Sequence, residues 1–274
     1  MNGLDWSTSL SDVVVCACAG FIVAMALWAA MQDAFVQQTF LRTNYRGHQL
    51  PTAVGVLIVV PYALVVGLSS WLNWDLIDGA ALALVLGFGV LGLLDDVGGA
   101  GESGGFRGHL RALAAGRLTT GGLKMLGGPV VALAVTGDLL VAAIVCLAAN
   151  LANLFDRAPG RTTKVSLLAF GLIALAGWTL PPASVALVIG AAAGLLWGDL
   201  NEQYMMGDAG SNVIGAVIGV QIVAAFPSTS ARWITLAVLV AFNIASEFVS
   251  FSKIIASTPP LRALDLLGAR RRPR

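Results

Sequence analysis

The run Met205-Met206-Gly207-Asp208-Ala209-Gly210-Ser211-Asn212 leads directly into an apolar stretch, 213–226, of the kind that crosses a bilayer as a helix. It sets a carboxylate between glycines at the mouth of that helix. A helix start offers unpaired backbone N–H groups and the positive end of the dipole, which together suit phosphate. Ser211 or Asn212 supplies an N-cap, and the glycines let a ligand approach the backbone. An Asp placed there repels bare phosphate, so the pairing implies a divalent cation between the two. Taken alone, the octapeptide also reads as a capped helix start with a solvated Asp. The rest of the chain decides between the two.

Of 274 residues, 57% are hydrophobic and only 11% charged, and the mean hydropathy is +0.84. The apolar residues come in long blocks, which marks an all-α polytopic membrane helical bundle, a single integral membrane domain over 1–274. Cys16, Cys18 and Cys146 lie inside apolar runs, so neither a disulfide framework nor a zinc site is indicated. The charge pattern contains no nucleic-acid-binding surface. The first twelve residues carry Asp5 and Asp12 but no Lys or Arg, unlike a signal peptide, and read as the lead into an uncleaved first span with its N-terminus outside.

At about 20 apolar residues per span, roughly nine transmembrane helices are expected. They fall near 13–35, 52–72, 78–94, 119–136, 138–155, 164–180, 182–198, 212–227 and 231–256. With the N-terminus outside, one set of loops holds every Lys and Arg except Arg232, while the opposite loops carry Asp75, Asp78 and Asp138. The positive-inside rule then makes the basic loops and the C-terminus cytoplasmic, in the plasma (inner) membrane. Residues 95–118 form a cytoplasmic loop. Within it Phe106, Leu110, Leu113 and Leu118 alternate with Arg107, Arg111 and Arg117, as in a short interfacial helix or an ordinary basic loop. Residues 257–274 read as a basic cytoplasmic tail. Gly215 and Gly219 form a small-xxx-small pair suited to helix packing.

Four polar features lie at cytoplasmic helix ends. The third span closes on Asp95-Asp96, a like-charged pair at a helix C-terminus, where cations are favoured; a metal would relieve it. Asn150, Asn153 and Asp156 lie at i, i+3 and i+6 and share a stripe, available for helix–helix hydrogen bonds or for a ligand. Lys124 sits among glycines early in the fourth span, where it either snorkels or offers a point charge to phosphate. The opening motif around Asp208 is the fourth. Acids, amides and a lysine on one membrane face describe a metal-assisted phosphate-transfer site. A proton-coupled transporter would place acids near the midplane, and only Glu247, inside the ninth span, fits that.

At these residues the chain resembles the polyprenyl-phosphate N-acetylhexosamine-1-phosphate transferases, of the glycosyltransferase family 4 type. These are relatives of phospho-N-acetylmuramoyl-pentapeptide transferase. The resemblance runs from about 44 to 219 and includes Asn44-Tyr45-Arg46-Gly47 and Pro51-Thr52-Ala53-Val54-Gly55, similar to the family's first cytoplasmic loop. It implies transfer of a sugar 1-phosphate from a UDP-sugar to a polyprenyl phosphate in cell-envelope glycan synthesis, releasing UMP. Mg²⁺ is the implied cofactor, with Mn²⁺ as an alternative. By the same resemblance Asp208 is a metal ligand and Asp96 lies near the metal, while Asp95 contacts or deprotonates the lipid phosphate. Asn150, Asn153 and Asp156 line the nucleotide-sugar pocket, and Lys124 holds phosphate. Arg46, Gly207 and Ser211 complete the substrate-binding set, and a homodimer is left open.

The sequence departs from that pattern after Asp156. Where the family usually has Gly and a second Asp-Gly pair, this chain has Arg157-Ala158-Pro159-Gly160-Arg161, and Arg157 and Arg161 are then candidates for binding phosphate. A histidine-rich motif common in the family's last cytoplasmic loop has no counterpart, since His48 and His109 lie elsewhere. The alternative expectation is therefore a catalytically lapsed relative that binds carrier lipid as a partner or regulator.

Overall fold

A computed structural model describes residues 8–72, 79–98, 106–117 and 119–269. The helices are α1 (Leu10–Met31), α2 (Val56–Trp71), α3 (Gly79–Gly98), α4 (Phe106–Ala114), α5 (Thr120–Thr136), α6 (Leu139–Phe155), α7 (Arg161–Gly177), α8 (Ala183–Leu200), α9 (Asp208–Ala225), α10 (Thr229–Ser246), α11 (Phe251–Ser257) and α12 (Pro259–Leu266). The architecture is that of an all-α polytopic membrane protein. Among the described residues, five helical segments are long and apolar enough to cross a membrane: Leu10–Val36, Ala81–Gly98, Ala183–Leu200, Asp208–Ala225 and Thr229–Ser246. Helices α2, α5 and α6 are shorter but apolar.

Burial sorts the helices into centre and rim. The α8 and α9 windows are 78% and 83% buried, against 17% for α1 and 11% for α10. Helix α9 is the hub, packed by α2, α3, α6, α7 and α8. Hydrocarbon gives helices no hydrophobic reason to associate, so close packing must do it, and small residues permit the approach. A β-carbon on Gly215 would fall 2.4 Å from the Ala148 carbonyl oxygen, and one on Gly219 2.9 Å from the Val145 Cα, so this pair seats α9 on α6 as its spacing suggested. On the other side, a β-carbon on Gly20 of α1 would fall 2.1 Å from the Leu187 carbonyl oxygen of α8.

Three features differ from the sequence reading. The first loop holds a two-stranded antiparallel hairpin, β1 (Leu41–Thr43) and β2 (Gln49–Pro51), with Arg42 opposite Leu50. Its turn is set by Asn44, whose Oδ1 accepts the N–H groups of Arg46 and His48 at 2.9 Å each, and by Gly47 at φ +83°. The ninth apolar run is not continuous: α10 stops at Ser246, and the chain continues as the short helices α11 and α12. Glu247, read as lying inside that span, is the exposed C-cap of α10, which removes the midplane acid that a transporter reading used. The basic tail is accordingly folded as far as Ala269, while 270–274 lie outside the described residues. In the 95–118 loop the short helix forms as α4, with 99–105 and 118 outside the described residues.

Candidate active site

The C-terminal ends of α3, α6 and α8 and the N-terminal ends of α5, α7 and α9 meet at one end of the bundle. A cavity of about 270 Å³ there is lined by Asp96, Asp156, Asp199, Glu202 and Asp208. The hairpin contributes Thr43, Asn44, Tyr45 and Leu50 to its wall. Backbone pairing ties the first loop to the approach to α9: Met205 N–H donates to the Pro51 carbonyl at 2.8 Å, and Gly55 N–H to the Met206 carbonyl at 2.9 Å.

The start of α9 is organised by carboxylates from other helices. The Gly207 N–H donates to Asp156 Oδ2 at 3.0 Å, the Asp208 N–H to Asp96 Oδ1 at 2.9 Å and the Ala209 N–H to Asp96 Oδ2 at 2.9 Å. Negative charge at the positive end of a helix is stabilising, and here it also satisfies donors that have no intrahelical partner. This corrects two expectations. Ser211 and Asn212 are not the N-cap, because α9 begins at Asp208 and buries both inside its first turns. The N–H groups read as a phosphate cradle are already given to Asp96 and Asp156.

Two glycines make this geometry possible. A β-carbon on Gly92 would fall 2.3 Å from the Asp208 carbonyl oxygen, so α3 touches α9 backbone to backbone. Asp96, one turn further along α3 on the same face, then reaches the N–H groups of α9. Gly207 adopts φ +73°, and a β-carbon there would fall 2.5 Å from Asp96 Oδ2, so conformation and space both require glycine.

Lys124 bridges two acids. Its ammonium lies 2.9 Å from Asp95 Oδ2 and donates to Asp208 Oδ2. Thr120, one turn earlier on α5, donates to Asp95 Oδ1 at 2.7 Å. At the far wall Arg46 Nη1 pairs with Glu202 Oε1 at 3.0 Å, and His48 Nδ1 stands 3.6 Å from Oε2. Asp199 accepts the Gly160 N–H. Burial, and then the charges of Asp199, Asp208 and Asp96, push the Asp156 carboxyl well above the ordinary carboxylate range, against the opposing pull of the Gly207 N–H.

The acids thus outnumber the cations that face them, and their hard oxygens are the donor type that Mg²⁺ takes. Among the described residues no three acids converge tightly enough to cage an ion by themselves. Mg²⁺ at a nucleotide site needs only one or two carboxylates together with substrate phosphates, so the donor set fits that ion. Asp96 has both oxygens engaged by α9, whereas Asp208 is held by a lysine side chain, which can move.

The remaining candidates divide. Arg157 lines the cavity. Asn153 Nδ2 stands 3.4 Å from the Oγ of Ser211, which is fully buried, so these two join α6 to α9 beside the acids. Asn150 is not brought there: its amide donates to Asn243 Oδ1 of α10 at 2.6 Å, the helix–helix use of the stripe. Arg161 is committed elsewhere as well, with Nε 2.7 Å from Asp265 Oδ1. Residues that the sequence reading passed over are Thr120, Asp199 and Glu202. The last two are buried acids at the C-terminal end of α8, and their signal was the Asp199-Leu200-Asn201-Glu202 run, acidic where a helix end favours cations.

No curated protein matches this chain. The family model described as glycosyl transferase family 4 matches residues 79–226. That interval opens with α3, which brings Asp95 and Asp96, and closes just after α9, which brings Asp208, so all five acids that line the cavity come from the matched part. With more than half of its length matched, the chain belongs to glycosyl transferase family 4.

Proposed function

We propose that the protein transfers a sugar 1-phosphate, of the N-acetylhexosamine type, from a UDP-sugar to a polyprenyl phosphate. A phosphate oxygen of the lipid attacks the β-phosphorus of the donor. The bond from that phosphorus to the bridging oxygen breaks, UMP leaves, and a lipid-linked diphosphosugar forms. The observation that carries this reading is the convergence of Asp96, Asp156, Asp199 and Asp208, from four separate helix ends, on one cavity. Family membership supports phosphosugar transfer to a polyprenyl phosphate in general.

Mg²⁺, or Mn²⁺ in its place, would be held by Asp208 with phosphate oxygens of the donor, where it would offset the diphosphate charge and favour departure of UMP. Lys124 adds a point charge between Asp95 and Asp208, where two anionic substrates must approach each other. Asp95, fixed by Thr120 and Lys124, would contact or deprotonate the lipid phosphate. Asp96 and Asp156 hold the start of α9 and with it the backbone of Asp208. The basic loops share the acid end of the bundle, which supports a plasma-membrane protein whose site opens to the cytoplasm.

The test is purified protein with radiolabelled UDP-N-acetylhexosamines and undecaprenyl phosphate. Lipid-linked label and UMP are expected in equal amounts. No product with any donor, together with an unchanged result for Asp208→Asn, would sink the reading. The run Arg157-Ala158-Pro159-Gly160-Arg161, which lacks the second acid usual in the family, favours a second reading: a lapsed member that binds carrier lipid as a partner or regulator, without turnover. Binding without product identifies it.

The cation makes a separate prediction. At 100 times its Kd, a ligand that binds only the folded state adds about 2.7 kcal/mol. Titrating Mg²⁺ should therefore raise the thermal midpoint in detergent, and Asp208→Asn should flatten the response; an equal response in both proteins would place the ion elsewhere.

A further inference from the structure

The 156–160 loop carries Asp156, Arg157, Ala158 and Pro159 into the cavity wall. Its two ends are held by a part of the chain that lines no part of that cavity. At one end Phe155 stacks on Phe251 of α11, with ring centroids 5.6 Å apart and planes at 21°. At the other, Arg161 donates from Nε to Asp265 Oδ1 at 2.7 Å and from Nη2 to Asp265 Oδ2 at 2.9 Å. Its Nη1 donates to Ser252 Oγ at 2.8 Å. Arg161 is buried, with 7% of its surface exposed, so its charge has little water to fall back on.

The grip extends one turn further along α7. Lys164 donates to the carbonyl oxygens of Leu264 and Asp265 in the last turn of α12 and of Leu267, its C-cap residue. Inside the loop, Gly160 takes φ +65° and gives its N–H to Asp199. The loop is therefore pinned from α8 on one side and from the C-terminal helices on the other.

We infer that α11 and α12 position the 156–160 loop for donor binding, and that Asp265 is the positioning residue through which they act. The inference rests on the proposed transferase reading for its kinetic test but not for its structural one. A two-toothed carboxylate fixes both the place and the plane of the Arg161 guanidinium, which a single hydrogen bond does not. Because the helix begins at Arg161, that plane sets where the chain leaves the loop, and with it the aim of Arg157 and Asp156. The Asp265 carboxylate pairs with Arg161, which is how its side chain acts on the loop.

Three variants of the full chain test this: Asp265→Asn, which offers one acceptor oxygen, Asp265→Ala, which offers none, and Asp265→Glu, which restores both. KM for the UDP-sugar should rise about tenfold in Asp265→Ala and less in Asp265→Asn, while KM for the lipid stays at the wild-type value and Asp265→Glu recovers most of the loss. Hydrogen exchange of a peptide spanning 156–160 should quicken in the same order, with exchange in α3 and α9 unchanged. A folded Asp265→Ala protein with wild-type donor KM and wild-type loop exchange overturns the inference. So does a loss confined to kcat, or an equal rise in both KM values. Where Asp265→Ala does not fold, Asp265→Asn carries the same two outcomes. A wild-type protein without transfer activity defeats the transferase reading alone, and loop exchange then decides this one.

Discussion

Asp208→Asn is expected to lower the rate of sugar-phosphate transfer by a factor on the order of 10² to 10³, the usual cost of removing one preorganised charge from a transfer site. The replacement keeps the size of the side chain and an oxygen able to accept from Lys124, so the helix start need not move. What it removes is the negative charge that recruits a cation, at the residue whose partner is a lysine side chain rather than a backbone N–H. Lys124 then has Asp95 as its one charged partner and is drawn toward it. Single-turnover assays with excess enzyme check this, because they separate loss of chemistry from loss of donor binding. A variant within twofold of wild type, at matched folded fraction, would show that Asp208 is structural.

Gly92→Ala should damage stability and transfer together. The added methyl would stand 2.3 Å from the Asp208 carbonyl oxygen and 2.6 Å from the Ala209 nitrogen, both backbone atoms that cannot turn aside. Helices α3 and α9 must separate, and overpacking of this kind costs about 1–3 kcal/mol. Asp96 then loses its reach to the Asp208 and Ala209 N–H groups, and a lost helix cap adds roughly 1 kcal/mol. Transfer should fall with stability, since Asp208 moves with the helix it begins. Gly171→Ala is the control: nothing lies within 4 Å of its new methyl, and alanine gains up to about 1 kcal/mol over glycine inside a helix. Thermal unfolding in one detergent should move the two midpoints in opposite directions, and equal shifts would refute the contact argument.

Hydropathy located the long helices because burial in lipid demands unbroken apolar runs, and that demand is local. It could not show that 231–256 is broken, because α11 is also apolar and the break at Glu247 to Ser250 is short. The three-residue strands of the hairpin carry too few positions to display an alternating pattern. The gathering of acids was legible from sidedness alone, since Asp95, Asp96, Asp156 and Asp208 all fall at helix ends of one parity. Their division of labour was not. The local sequence offers Ser211 and Asn212 as caps, and only tertiary contact reveals that Asp96, 112 residues away from Asp208, takes that task. Asn150 shows the limit of a stripe argument: a drift of about 60° over three residues is enough for one amide to meet α10 while Asn153 meets α9.

The central place of α9 has a consequence for how the protein is made. Of the helices that wrap it, α2, α3, α6, α7 and α8, every one precedes it in the chain. A ribosome therefore delivers the keystone after the arch, and until it arrives the nascent bundle must keep a berth open in which Asp96 and Asp156 have no donors to receive. Chains cut short before residue 208 should be bound by membrane chaperones rather than settle into a smaller native form.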